Sequence, residues 1–366
     1  MNSFSSQKIP SFHADIFKQT QLWQLCGTQR LFRDRYEILR ILGRGGFGVT
    51  FLAKDTVLPG NPVCVIKQLC PKTTNPQSWE RACIRFKKEA KTLARLGSHS
   101  QIPMLLDYFE SQGEFYLIQE YIKGSNLAQE VKRNGCTSEA AVRQLLQELL
   151  PVLQYVHKHG VIHRDIKPHN LLRCKDDGRL VLIDFGAVKE ELRNTAETSI
   201  HQNANTNFIG TMGFAPPEQL SLRPVYASDI YAVGMTCLYL LTGKSPLEFN
   251  RDPSTGEINW QEQLNLSEHF AQVLSKMLKN SIEERFKSVD DVVWALGMES
   301  YLPTLHSCLS TQRLGSGWNE PIEKESSDQY LSPLARTAKT IRQWQTKLKA
   351  KNSHNRQKLY TSDVSH

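Results

Sequence analysis

The sequence predicts an α+β chain in two parts, a smaller β-rich part followed by a larger helical one. Three observations carry this. Strand-like segments at 36–42, 49–53, 63–67 and 115–118 crowd the first third of the chain. Helical periodicity governs 139–159 and most of 228–297. At the join lies His163-Arg164-Asp165-Ile166-Lys167-Pro168-His169-Asn170, with Asp184-Phe185-Gly186 close behind. A length of 366 residues suits two domains, or one two-lobed domain with tails.

Composition excludes several classes. With 40% hydrophobic and 22% charged residues the chain is ordinary for a globular protein. None of its eight cysteines stands in C-x-x-C spacing and histidines do not gather beside them, so a disulfide frame and a zinc site are not expected. Reduced thiols fit a cytoplasmic protein. No apolar run reaches membrane-spanning length; the best, 231–241, reads as a buried core helix. The N-terminus lacks the basic-then-apolar order of a secretion signal.

In chain order, residues 1–35 form a polar leader. Its Ile16, Phe17, Leu22, Trp23 and Leu25 make one sticky face, read as packing on the main domain. The strand at 36–42 runs into Gly43-Arg44-Gly45-Gly46-Phe47-Gly48, and a second strand returns from Val49. Glycines at 43, 45 and 48 let a backbone lie close over phosphates and offer its N–H groups. Dinucleotide-binding loops share this spacing but open a helix; here a strand follows. Lys67 ends the apolar strand Val63-Cys64-Val65-Ile66, where a solvent-exposed strand end is the plainer reading. On the next helix, predicted for 85–96, Phe86, Leu93 and Leu96 share a face with Glu89 near it. The stretch 68–84 reads as a rather long linker, which keeps Glu80 open as the alternative acid. The strand at 115–118 leads into Gln119-Glu120-Tyr121-Ile122-Lys123-Gly124. The helix at 139–159 carries Pro151, which predicts a kink or break. After Asn170, Leu171-Leu172 and Leu180-Val181-Leu182-Ile183 flank a turn at Asp176-Asp177-Gly178 and read as a hairpin. That hairpin puts Asp165, Asn170 and Asp184 at one sheet edge, a set suited to phosphoryl transfer: one carboxylate for a hydroxyl, an amide and a carboxylate for a metal ion.

Here the sequence resembles the eukaryotic-type (Hanks-type) serine/threonine protein kinases, in particular their bacterial and cyanobacterial members. H-R-D-x-K-x-x-N, D-F-G, the glycine loop and the strand lysine occur in the order of that family. The resemblance implies a bilobal protein-kinase fold over 36–302, with a β-rich N-lobe (36–122) bearing one key helix, a helical C-lobe (123–302), and ATP between them. It implies Asp165 and Lys167 as catalytic residues and Asn170 and Asp184 as ligands of Mg2+, with Mn2+ as an alternative. Nucleotide contacts are implied for Gly43, Arg44, Gly45, Gly46, Phe47, Gly48, Thr50, Val65, Lys67 and its partner Glu89. Glu120 and Ile122 would meet adenine, Gln119 would stand behind them, Asn126 would meet the ribose, and Leu172 joins the set. Val65 stands for the family's usual alanine and Thr50 for its valine, so the pocket roof is expected to be tighter.

Lys167 and Thr211 mark the serine/threonine class. Ala215-Pro216-Pro217-Glu218 departs slightly from A-P-E, and Glu218 is expected to pair with Arg285. Ser228-Asp229-Ile230-Tyr231 opens a helix where the family carries tryptophan at 231, ending at Gly243. A further helical stretch is predicted at 266–297, and 250–260 reads as an inserted loop. Arg164 before the catalytic aspartate implies phosphate on the interval 187–209, first at Thr206, then at Thr195, Thr198 or Ser199. A fold-sharing scaffold without catalysis is the rival, although no catalytic polar group is missing. Residues 303–366 form a linker and a basic tail. From Leu334, Ala338, Ile341 and Leu348 share a helical face, surrounded by Arg336, Lys339, Arg342, Lys347, Lys349, Lys351, Arg356 and Lys358. Such a segment suits an anionic membrane surface, nucleic acid or an acidic partner, with a solvated tail as the equal alternative. Protein substrates with serine or threonine are implied, and no DNA-binding motif is present.

Overall fold

The computed structural model describes residues 20–44, 48–70, 76–97, 99–190 and 210–298. The first part is a six-stranded antiparallel sheet in the order β1-β2-β3-β4-β6-β5. Its strands are β1 (Leu31–Phe32), β2 (Tyr36–Arg44), β3 (Gly48–Asp55), β4 (Val63–Leu69), β5 (Leu105–Ser111) and β6 (Glu114–Glu120). Alternation fixes one face: Tyr36 and Ile38 on β2, and Val49, Phe51 and Ala53 on β3, are all buried. β3 and β4 pair so that Thr50 faces Lys67 and Gly48 faces Leu69. A Cβ at Gly48 would collide with the Gln68 carbonyl oxygen, so this close strand approach requires glycine.

The described end of the leader belongs to this sheet. A short helix α1 (Gln21–Leu25) and β1 bring Leu22 and Phe32, both fully buried, into one cluster with Tyr36, Phe51, Ile66 and Ile118. Ile16 and Phe17 lie outside the described residues.

On the other face lies α2 (Pro76–Leu96). It starts nine residues earlier than the periodicity at 85–96 indicates, so no long linker precedes it. Its opening residues Pro76, Gln77, Trp79 and Glu80 are exposed and carry no apolar repeat, while Pro76 supplies a favourable first helical residue. Ala82, Phe86, Glu89, Ala90, Leu93 and Leu96 then fall on the buried side.

The second part hangs on α4 (Glu139–Lys158) and α6 (Tyr226–Thr242), with α3 (Leu127–Asn134) before them. Leu146, Leu149, Leu153 and Val156 of α4 pack in one core with Ile230, Val233 and Leu238 of α6. α4 runs unbroken through Pro151, which sits on its exposed side, so the predicted break is absent. α6 ends where Gly243 turns left-handed at φ +69°.

The stretch 266–297 is not one helix. α7 (Glu268–Met277) and α8 (Val289–Gly297) are separated by a loop that carries the buried Arg285 and Phe286. Residues 250–260 form a packed turn: Arg251 bridges Ile258, Ile258 and Trp260 are buried, and Asp252 Oδ1 caps the N–H groups of Ser254 and Thr255. Among the described residues no helix is long and apolar enough to cross a membrane.

Between the two parts, β7 (Gly124–Asn126), β9 (Leu171–Cys174) and β10 (Leu180–Leu182) make a small sheet. β8 (Val161–Ile162) pairs with β11 (Lys189–Glu190). These short strands frame the two motif loops.

Candidate active site

The first constellation forms where β4 meets α2. Lys67 Nζ lies 2.5 Å from Glu89 Oε1 and 3.3 Å from Asp184 Oδ1. Glu80 is exposed near the start of the same helix, so Glu89 is the acid that meets Lys67. Burial opposes charge on Lys67, but the Glu89 and Asp184 carboxylates outweigh it and raise its pKa. The Lys67 ammonium in turn holds the Asp184 carboxyl below its ordinary range, against the pull of burial.

The second constellation is the loop after β8. Asp165 Oδ2 lies 2.8 Å from Lys167 Nζ, and Thr211 Oγ1 donates to Asp165 Oδ1 at 2.7 Å. Lys167 Nζ donates to Thr211 Oγ1 at 2.7 Å. Asn170 Nδ2 donates to the Asp165 carbonyl (2.8 Å) and to its Oδ2 (2.9 Å). With its amide nitrogen so engaged, Asn170 has its oxygen left to offer a cation.

Behind the loop stands Asp229 of α6, fully buried. Its Oδ2 accepts from His163 N–H and approaches His157 Nε2, and its Oδ1 accepts from Arg164 N–H, each at 2.8 Å. Burial pushes the Asp229 carboxyl up, but these partners outweigh it and hold it below the usual carboxylate range. His163 is also fully buried. Its Nε2 lies 3.2 Å from the Ile183 carbonyl and its Nδ1 takes the Asp165 N–H at 3.3 Å. Both contacts suit the neutral ring, Nε2–H donating and Nδ1 accepting.

Burial lowers the His163 pKa accordingly. The unfolded chain therefore binds the proton first, so the stability from neutral His163 is complete above the unfolded value near 6.5 and declines as pH falls below it. Thermal unfolding between pH 7.5 and 5.5 should show a falling midpoint, with a shallower slope in His163→Asn. Equal slopes would contradict this.

Lys67 and Asp184 of the first constellation line a cavity of about 410 Å³, a size ordinary for small-molecule sites, and His169 brings the loop of the second to its wall. Gly43, Thr50, Val65 and Lys67 line it from the sheet, with Glu120 and Ile122 from the end of β6 and the stretch after it. Asn126, Leu172 and Asp184 line it from the helical side. Gln119, nearly buried, also borders it.

Two of these residues have prior commitments. Glu120 N–H donates to the Met104 carbonyl at 2.9 Å, so it is not the donor to a bound base. Asn126 caps α3: its Oδ1 accepts from Gln129 N–H at 2.8 Å while Gln129 Oε1 accepts from Asn126 N–H at 3.0 Å. Arg44 ends β2 and stacks on the Trp23 ring at 4.5 Å. Gly45, Gly46 and Phe47 lie outside the described residues, as do Thr195, Thr198, Ser199, Thr206 and the basic tail.

The protein kinase domain family matches residues 36–294. This chain belongs to the protein kinase family. It is 53% identical over 283 residues to "Serine/threonine-protein kinase B" of Synechocystis sp., covering 77% of this chain and 49% of that one. It is 46% identical over 281 residues to "Serine/threonine-protein kinase PknA" of Nostoc sp., covering 76% and 50%. With "Serine/threonine-protein kinase D" of Synechocystis sp. it shares 40% over 313 residues, 84% of this chain and 59% of the relative. The chain thus spans about half the length of the first two relatives.

Protein kinases use ATP and a divalent metal, and the donors here fit such a cation. Asp184 is ionised by its lysine neighbour, its side chain is 47% exposed, and Asn170 offers an amide oxygen. Among the described residues no three His, Cys, Asp or Glu side chains gather into a closed metal cage. Two oxygen donors, completed by phosphate and water, match the way such kinases hold their metal.

Away from the cavity, Arg285 Nη1 meets Glu218 Oε1 at 2.6 Å, and the kinase's large part closes around that pair. Arg285 also donates to the carbonyls of Ala227, Lys279 and Asn280, and its guanidinium lies 5.1 Å from the ring of Tyr231.

Sequence reading missed several cavity and support residues. Leu42 and Ile183 line the cavity, but each sits in an apolar run with nothing to single it out. Gln219 reaches the loop at Arg164, and His157 reaches Asp229 behind it, only through tertiary packing.

Proposed function

We propose that this chain transfers the γ-phosphate of ATP to serine and threonine hydroxyls of proteins, itself included. The carrying observation is the bonded set Asp165–Lys167–Thr211–Asn170, tied by the 2.9 Å bond from Ile183 N–H to the Asn170 carbonyl to the strand that leads into Asp184 of the Lys67–Glu89–Asp184 set. Lys67, braced by Glu89, would hold the α- and β-phosphates. Asp165 would orient the acceptor hydroxyl and take its proton, and Lys167 would offset charge on the γ-phosphate. Asn170 and Asp184 would hold Mg2+, in preference to Mn2+, which when bound neutralises phosphate charge. Glu120 would serve the base through its carbonyl rather than its N–H. Positioning and electrostatics supply most of the rate in this chemistry.

Thr211 between Asp165 and Lys167 supports the serine/threonine class. Hydrolysis of the labelled product to free amino acids tests it: label on phosphoserine or phosphothreonine is expected, and label on phosphotyrosine would refute it.

Residues 36–302 are taken as the catalytic unit, with 1–35 and 303–366 as flanks. The described cysteines are all unpaired, which supports a reducing, cytoplasmic setting. The basic segment from Leu334 is taken to rest on an anionic membrane surface. Removing residues beyond 330 should weaken sedimentation with phosphatidylserine vesicles, and unchanged sedimentation would remove this role.

A further inference from the structure

Arg164 is the strained point of the catalytic loop. Its φ of +69° is left-handed, a region that costs any residue carrying a Cβ some free energy. Surrounding structure must hold it there, and its backbone is gripped from both sides. From α6, Asp229 Oδ1 accepts the Arg164 N–H at 2.8 Å. From the other side, Gln219 Nε2 donates to the Arg164 carbonyl at 2.6 Å.

Gln219 lies in the short helix α5 (Pro217–Leu220), eight residues past Thr211, and is 1% exposed. A buried amide is costly unless it is bonded, so an apolar residue would be the simpler filler unless the bond itself mattered. Its neighbour Glu218 anchors the helix to Arg285 at 2.6 Å and accepts from Ser228 Oγ at 2.7 Å. α5 is thus a fixed block from which Gln219 reaches the loop. The segment 211–219 touches two successive residues there, the Asp165 carboxylate through Thr211 and the Arg164 carbonyl through Gln219.

We propose that Gln219 is a positioning residue for phosphate transfer, holding the Arg164 peptide in the conformation that presents Asp165. The inference rests on the kinase reading above. It makes the presentation of Asp165 depend on α5, and so couples the acceptor side of the site to the catalytic loop. Loss of the donor would leave the half-buried Arg164 carbonyl without this bond. The loop would relax from its left-handed residue and carry Asp165 with it, while the nucleotide contacts at Lys67 stay in place.

The test compares the full chain with Gln219→Leu and Gln219→Glu, each first melted to establish folding. Steady-state transfer is measured at several ATP concentrations, and hydrogen exchange is followed over 161–171. Gln219→Leu should lower kcat about tenfold with KM for ATP changed less than about twofold, and exchange in the loop should rise. A carboxylate at 219 cannot donate, whereas a carboxylic acid can. Gln219→Glu should therefore be impaired at pH 8 and regain activity relative to the intact chain, by about threefold or more, at pH 6. Simple loss of packing would not produce that recovery.

Wild-type kcat in Gln219→Leu, or no relative recovery in Gln219→Glu, overturns the proposal. If Gln219→Leu does not fold, the pH response of Gln219→Glu decides. If the intact chain transfers no phosphate, the kinase reading fails instead, and the exchange comparison alone decides whether Gln219 holds the loop.

Discussion

Replacing Asp184 with alanine should lower phosphate transfer by about a thousandfold or more while the chain stays folded. Asp184 sits at φ +67° in the first constellation, 3.3 Å from Lys67 and at the cavity wall. Its carboxylate is held ionised by Lys67, and in the proposed reading it is one of the two oxygen donors to the metal. The other, Asn170, cannot replace its charge. Lys67→Met should act similarly, since it removes the cation aimed at the phosphates and leaves Glu89 buried without a partner. The two variants should differ in stability: Asp184→Ala removes a half-exposed acid, whereas Lys67→Met strands one that is 5% exposed. Transfer rates and melting curves on both chains separate these effects. Asp184→Ala with more than about a tenth of the intact rate would contradict the assignment.

The largest stability effect is expected at Arg285. Its side chain is fully buried, bonds both Glu218 oxygens at 2.6 and 3.3 Å, and satisfies three backbone carbonyls. Removing one partner of such a pair leaves an uncompensated charge and several unpaired acceptors. Arg285→Ala should cost about 3–5 kcal/mol, and a chain of this size should melt roughly 10 °C lower. Glu218→Gln with Arg285→Met should recover part of that loss, because the stranded carboxylate is gone. A double variant no more stable than the sum of its single changes would mean the pair is not coupled.

The motif loops were legible because their chemistry is local in sequence. Asp165, Lys167 and Asn170 lie within six residues, and Lys67 directly follows the apolar run Val63-Cys64-Val65-Ile66. The join between β2 and β3 was legible for a similar reason, since a returning strand at Val49 excludes a helix-opening loop. Features made by long-range packing were not legible. The first turns of α2 are solvent-facing, so no apolar repeat announces them, and sequence alone does not separate the exposed Glu80 from Glu89. The break between α7 and α8 was hidden because Met277, Leu278, Phe286 and Val289 are all buried and mimic a continuing apolar face. The loop among them exists to bring Arg285 to Glu218, a contact across 67 residues. Gln219 carried no signal at all; a glutamine after a glutamate reads as surface, and only the fold buries it against Arg164.

The most direct test is transfer from γ-labelled ATP with magnesium, with the intact chain and Asp184→Ala assayed side by side on themselves and on a generic basic protein. The account predicts label with the intact chain alone. No label from the intact chain under conditions where it still binds ATP, or equal label from both chains, would contradict it.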